Sequence, residues 1–187
     1  SAEMERTLQV LDYAILVISG PAGIQSHTET VWRLLKRYNV PVFIFVNKMD
    51  IGDCQKDEIM SGIIERFGSE CVDFTCETGD EFFENIAMCD EDVLEKYMDS
   101  GNIDDEDIRK LIFERKLVPC YFGSALKLDG VEEILDGLEK YTLKKEYPNE
   151  FGAKVYKVSR DDKNKRLTYL KVTGGELKAK MYICLLY

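Results

Sequence analysis

Three continuous apolar runs punctuate the chain: Tyr13–Ser19 (YAILVIS), residues 42–47 (VFIFVN) and residues 117–123 (LVPCYFG). The first stops at Gly20-Pro21 and Pro41 opens the second. Short runs of this kind suit parallel strands buried on both faces. The segments around them repeat every three to four residues and predict helices. Residues 28–38 turn Val31, Leu34 and Leu35 inward, and residues 55–67 carry Ile59, Ile63, Ile64 and Phe67 as a stripe. After Asp129-Gly130, residues 131–141 place Val131, Ile134, Leu135 and Leu138 together, and residues 3–11 do the same with Met4, Leu8 and Leu11. Strands of the buried type alternating with helices predict an α/β fold with a parallel sheet of about three strands.

Two stretches depart from this rhythm. Between the second and third runs, over about residues 68–117, lies an insertion. CVDFTC (71–76) is a further strand candidate, and residues 90–98 and 104–116 predict helices, the second with acids in its first turn that favour the helix dipole. After Pro148-Asn149 the period changes to two. Residues 154–159, 166–172 and 177–183 predict an antiparallel meander of three strands. The expected division is therefore 1–147 and 148–187.

Charge sharpens the picture of the insertion. The 187 residues carry a formal net charge of −10. Glu77 to Asp107 holds 13 Asp or Glu and one Lys, a local −12 that leaves +2 for the rest. An acidic balance argues against a general nucleic-acid binder, and no DNA partner is expected. Six cysteines show no paired C-x-x-C spacing, so reduced thiols without zinc or disulfides are expected. No apolar run reaches the ~18 residues that span a membrane, and no basic stretch followed by an apolar one opens the chain. A cytoplasmic chain with no membrane partner is the expectation.

In open α/β sheets, ligands bind beyond the carboxyl ends of the strands. There the second run ends in Asn47-Lys48-Met49-Asp50 and the third in Gly123-Ser124-Ala125-Leu126-Lys127. A carboxylate at Asp50 accepts from both the N1–H and the 2-amino group of guanine. Adenine offers no such pair and would leave the carboxylate unpartnered. The stem of Lys48 covers one face of a base, Asn47 ties neighbouring loops together, and the Ala125 N–H donates to the guanine O6. Each motif is weak alone. Both at strand ends, a helix and an insertion apart, they point to guanine.

On these residues the chain resembles the translational GTPases of the elongation factor G superfamily. Residues 1–50 are similar to the family's segment from the switch II helix through the guanine-specificity motif. GSALKLDGVEEILDGL is similar to its last guanine loop and helix, and KRLTYLKVTGGELKAK resembles the start of its second domain, a β-barrel. The short insertion and DVLEKYM within it look most like the tetracycline ribosomal protection proteins. The resemblance implies a truncated P-loop GTPase-type sheet, with residues 1–147 as the later part of a GTP-binding domain and 148–187 as an incomplete barrel. It implies GTP or GDP as ligand, read through Asn47, Lys48, Asp50, Ser124, Ala125 and Leu126, and the ribosome as partner.

The phosphate-cradling pattern G-x-x-x-x-G-K-[ST] occurs nowhere in the 187 residues, nor does a switch threonine for magnesium. His27 falls in a loop and is expected to be solvated, not catalytic. Phosphoryl transfer rests on positioning and charge stabilisation by those elements. The expectation is a fragment that binds guanine nucleotide weakly or not at all, with Mg²⁺ needed only in the parent, and that does not hydrolyse GTP. Two alternatives stand beside it. One is a non-enzymatic module whose acidic insertion binds a protein partner. The other is a metabolic α/β enzyme, which no nucleophile and base constellation supports. Exposed strand edges suggest a homodimer.

Overall fold

The computed structural model describes residues 2–183. In chain order its elements are α1 (Ala2–Leu8), β1 (Ala14–Ser19), α2 (Ser26–Arg37), β2 (Val42–Asn47), α3 (Lys56–Phe67), β3 (Cys71–Asp73) and α4 (Asp80–Ala87). Then come α5 (Glu91–Ser100), α6 (Asp105–Phe113), β4 (Val118–Phe122), α7 (Val131–Tyr141), β5 (Gly152–Arg160) and β6 (Arg166–Gly174). They form two compact units. One spans Asp12–Leu143; the other joins the stretch up to Leu11 with the stretch from Lys144.

The larger unit is built on a parallel sheet of order β1-β2-β4-β3. The three apolar runs are its strands β1, β2 and β4. The fourth, β3, comes from the CVDFTC segment and forms one edge, so the sheet has four strands where about three were expected. β2 and β4 are flanked on both sides and bury every residue from Val42 to Val46 and from Val118 to Phe122. Phe43, Phe45 and Tyr121 share one face with Ile134 and Tyr141 of α7 and with Phe74, Phe82 and Ile112 of the insertion. On β1 this face changes character. Ile15 and Val17 stand in register with Phe43 and Phe45 yet are half exposed, while Leu16 and Ile18 on the other face are buried. In α2 the buried residues are Trp32 and Leu35, with Trp32 stacked on Phe67 at 4.6 Å and the Arg115 guanidinium 4.8 Å from the Trp32 ring.

The acidic insertion is an ordered set of helices. α4 was not expected: its DEFFENIA sequence buries Phe82, Ile86 and Ala87. Asp90 caps α5 by accepting from the Asp92 and Val93 amides, and Asp104 caps α6 by accepting from the Asp107 amide. Lysines neutralise several acids. Lys116 pairs with Asp90 at 2.7 Å, Lys96 bridges Asp104 and Asp107, and Lys140 pairs with Glu77 at 3.1 Å and Asp105 at 3.3 Å. The Tyr141 hydroxyl donates to Glu77 at 2.9 Å and Arg109 Nε donates to the Lys140 carbonyl at 2.5 Å. The end of α7 is thereby fastened to the insertion. Just beyond it, the Leu143 amide donates to the Tyr13 hydroxyl at 2.8 Å.

The smaller unit carries the antiparallel hairpin β5/β6, with register shifts near Gly152 and near Val155. Residues 177–183 form no strand, which corrects the expected three-strand meander. Leu177, Met181, Tyr182 and Ile183 are all exposed, so no buried face holds an alternating pattern in place. α1 belongs to this unit: Lys157 pairs with Glu3 at 2.8 Å, and Lys171 Nζ donates to the Val10 carbonyl at 2.8 Å. Cys184 and the closing Leu185, Leu186 and Tyr187 lie outside the described residues.

Candidate guanine-base site

Parallel pairing of β2 with β4, Val46 opposite Phe122, delivers both candidate loops to one edge of the sheet. Backbone hydrogen bonds then join them: Gly123 N to the Val46 carbonyl at 2.9 Å, and Met49 N to the Gly123 carbonyl at 3.0 Å. Asn47 Oδ1 accepts from its neighbour's amide, Lys48 N, at 2.8 Å and from Ala125 N, 78 positions away, at 2.9 Å. One side chain therefore fixes both loops. The Ala125 N–H, assigned above to the guanine O6, has Asn47 Oδ1 as its partner here. A third loop joins through Gly20 N, which donates to the Asn47 carbonyl at 2.8 Å.

The loop after β4 is tight for steric reasons. The Ser124 amide donates to the Asp129 carbonyl at 2.9 Å and the Asp129 amide returns to the Ser124 carbonyl at 3.1 Å. A Cβ at Gly123 would collide with the Asp129 carbonyl, and one at Gly130 (φ +70) with the Phe122 carbonyl, so neither position admits a side chain. Lys48 adopts a left-handed backbone, φ 66, where its strand gives way to the turn that carries Asp50.

Asp50 lies against this loop. Its carboxylate accepts from the Ser124 hydroxyl and pairs with Lys127 Nζ at 3.1 Å. The Ser124 hydrogen bond first, and Lys127 next, hold the carboxyl below the usual carboxylate range. Ser124 is 1 % exposed, the one polar residue among the buried side chains described. Lys48, Ala125 and Leu126 are exposed around the mouth. The six residues named from sequence thus meet at one edge. The pattern did not single out Lys127, Gly20, Gly123 or Gly130. For the glycines the signal was their place at a strand end; for Lys127 nothing in the spacing announces a pair with Asp50.

His27 is exposed as expected but sits in the first turn of α2, not in a loop. The five described cysteines are unpaired. Among the described residues no group of three or more His, Cys, Asp or Glu could hold a metal ion, and no helix is long and apolar enough to cross a membrane.

A parallel sheet with two loops hydrogen-bonded to each other beyond its strand ends is the architecture of the α/β nucleotide-binding class of fold. Residues 1–144 match the family described as the elongation factor Tu GTP-binding domain, and the chain belongs to that family, within the translational GTPases. Among curated relatives it is 30% identical over 203 residues to the tetracycline resistance protein TetP of Clostridium perfringens, covering 96% of this chain and 31% of that protein. It is 29% identical over 255 residues to elongation factor G of Thermotoga maritima, covering 98% of this chain and 36% of the relative. The chain thus spans about a third of the length of these relatives. A crystal structure of a Thermus thermophilus protein shares the fold, with a TM-score of 0.77 at 20% identity, over 95% of this chain and 34% of that one.

Proposed function

We propose that this chain is the base-reading part of a translational GTPase, selecting guanine through Asp50. The observation that carries the reading is the Asn47 side chain, which accepts from Ala125 N and so holds the Asp50 turn and the Ser124–Leu126 loop at one mouth. The ionised Asp50 carboxylate matches the two donors on one edge of guanine, Lys48 and Leu126 flank the base, and Ser124 orients the carboxylate. The 187 residues hold no G-x-x-x-x-G-K-[ST] motif. GTP or GDP is therefore held here by its base alone, and Mg²⁺ and hydrolysis belong to a longer protein of which this is a piece, with residues 148–187 beginning a further domain. Loss of phosphate contacts places saturation by GDP at about 1 mM or above. In that longer protein the expected setting is cytoplasmic, the partner the ribosome, and the work either elongation or tetracycline protection.

Guanosine followed by amide NMR tests this. Guanosine should shift the amides of residues 47–50 and 123–127, adenosine should not, and Asp50→Ala should abolish the effect. Equal shifts with adenosine would sink the reading.

The alternative, a docking role for the insertion, is favoured by one observation. Between α3 and α4, Met60, Ile64, Val72 and Met88 line a groove; of its three acids Asp73 pairs with Lys56, while Asp57 and Glu81 make no ion pair among the described residues. A mixed lining, with apolar Met60, Ile64 and Met88 beside two unneutralised acids, suits a Lys- or Arg-rich segment carrying one apolar anchor. Binding of such a peptide that survives Asp57→Asn with Glu81→Gln would exclude it. The half-exposed Ile15 and Val17 at the β1 edge favour pairing with a second copy, which sedimentation at rising concentration tests.

A further inference from the structure

Within the base site, and resting on the assignment of Asp50 as its reader, both groups that would recognise guanine already have partners inside the chain. Ala125 N–H is held by Asn47 Oδ1 at 2.9 Å, and the Asp50 carboxylate by Lys127 Nζ at 3.1 Å. The two contacts on Asp50 differ in kind. Ser124 is 1 % exposed and has no water to turn to if that contact is lost. A carboxylate offers about four lone-pair positions, so that hydrogen bond persists beside a bound base. The Lys127 side chain is 63% exposed, so its ammonium can leave the carboxylate for water at little cost. An ammonium donates and cannot accept; with the Ser124 hydroxyl and the Asp50 amide also donating to the carboxylate, Lys127 takes the third of its four positions and leaves one where the guanine N1–H and 2-amino group need two. Its reach is set by the backbone: the Lys127 amide donates to the Ser124 carbonyl at 3.0 Å, and Leu128 follows with a left-handed φ of 62.

We infer that Lys127 is an internal competitor for the guanine-reading carboxylate, and that a base enters by displacing its ammonium from Asp50. The residue sets affinity without making a productive contact with the base. An exposed pair of this kind lowers affinity by up to about fivefold. Salt gives a signature that a purely structural lysine would not. Screening weakens the Lys127–Asp50 pair, so a neutral nucleoside should bind more tightly as ionic strength rises.

The test uses guanosine with the full chain, its amide spectrum confirming that each variant folds. Lys127→Met should bind guanosine about two- to fivefold more tightly and lose the salt dependence, and Lys127→Arg should restore wild-type behaviour on both counts. Independently of any ligand, carbon-detected titration should show the Asp50 carboxyl moving up toward the ordinary carboxylate range in Lys127→Met. Unchanged or weaker guanosine binding in Lys127→Met, with Asp50→Ala still abolishing it, overturns the competition and leaves Asp50 as the reader. Guanosine without effect on either loop, in wild type and Lys127→Met alike, overturns the reader and the competitor together.

Discussion

Gly137 on α7 lies directly against the hydroxyl of Tyr121 on β4: a Cβ added there would overlap it. The Tyr121 hydroxyl is buried and has no hydrogen-bond partner among the described residues. Gly137→Ala gains about 1 kcal/mol of helix propensity. It also overpacks the interface, at a cost of about 1–3 kcal/mol. Net destabilisation is expected in urea unfolding. Tyr121→Phe removes an unpaired buried hydroxyl and should be neutral or stabilising. The double variant should regain what Gly137→Ala loses; additive losses would refute the contact.

Asp90 caps α5 and pairs with Lys116. Asp90→Ala should cost about 1 kcal/mol at neutral pH. The Lys116 contact first, with the Val93 and Asp92 amides, holds this carboxyl below its ordinary range. A lowered native pKa contributes stability that is present above the unfolded value, about 4, and lost as pH falls through the lower native one. The gap between wild type and variant should therefore narrow on acidification from about pH 5 downward. A gap constant with pH would remove the charge from the account.

Glu77 accepts from both Lys140 and the buried Tyr141 hydroxyl. Glu77→Ala leaves that hydroxyl without its acceptor and should destabilise the larger unit by about 1–3 kcal/mol. Burial pushes the Tyr141 phenol up to about 12 from 10.0. The unfolded chain gives up this proton first, so stability falls as pH rises from about 10. Tyr141→Phe should flatten that alkaline limb in thermal melts.

Ser124→Ala removes the buried hydroxyl that orients Asp50. Guanosine affinity should drop several-fold while the fold persists, and the Asp50 carboxyl should rise toward its ordinary range. Unaltered affinity would show that the carboxylate is positioned by its backbone alone.

The strands that form the sheet's middle were legible because burial on both faces leaves no room for polar alternation, as in VFIFVN. β1 reads the same way although its Ile15 and Val17 are half exposed, so the sequence pattern hides an open edge. α4 was missed because its apolar residues, Phe82 and Ile86 above all, are set among acids that mask the helical stripe. The LKAKMYI segment failed in the opposite sense: its alternation is real, but strand pairing is non-local and no partner face stabilises it. In the candidate site, the residue types at the strand ends were legible. The role of Asn47 in tying the loops was legible too, though not that its partner is the Ala125 amide; the Lys127–Asp50 pair was not legible, since it depends on the register of β2 against β4.

The hydrogen bond from Leu143 to Tyr13 places the entrance and exit of the larger unit side by side. Topologically that unit is a loop of chain drawn together at its neck, so a peptide long enough to span the Tyr13 side chain, joining Asp12 to Leu143, would turn it into a closed ring. New termini could then be opened in a surface turn such as the one at Gly52, making circular permutation a natural route to reorder this domain.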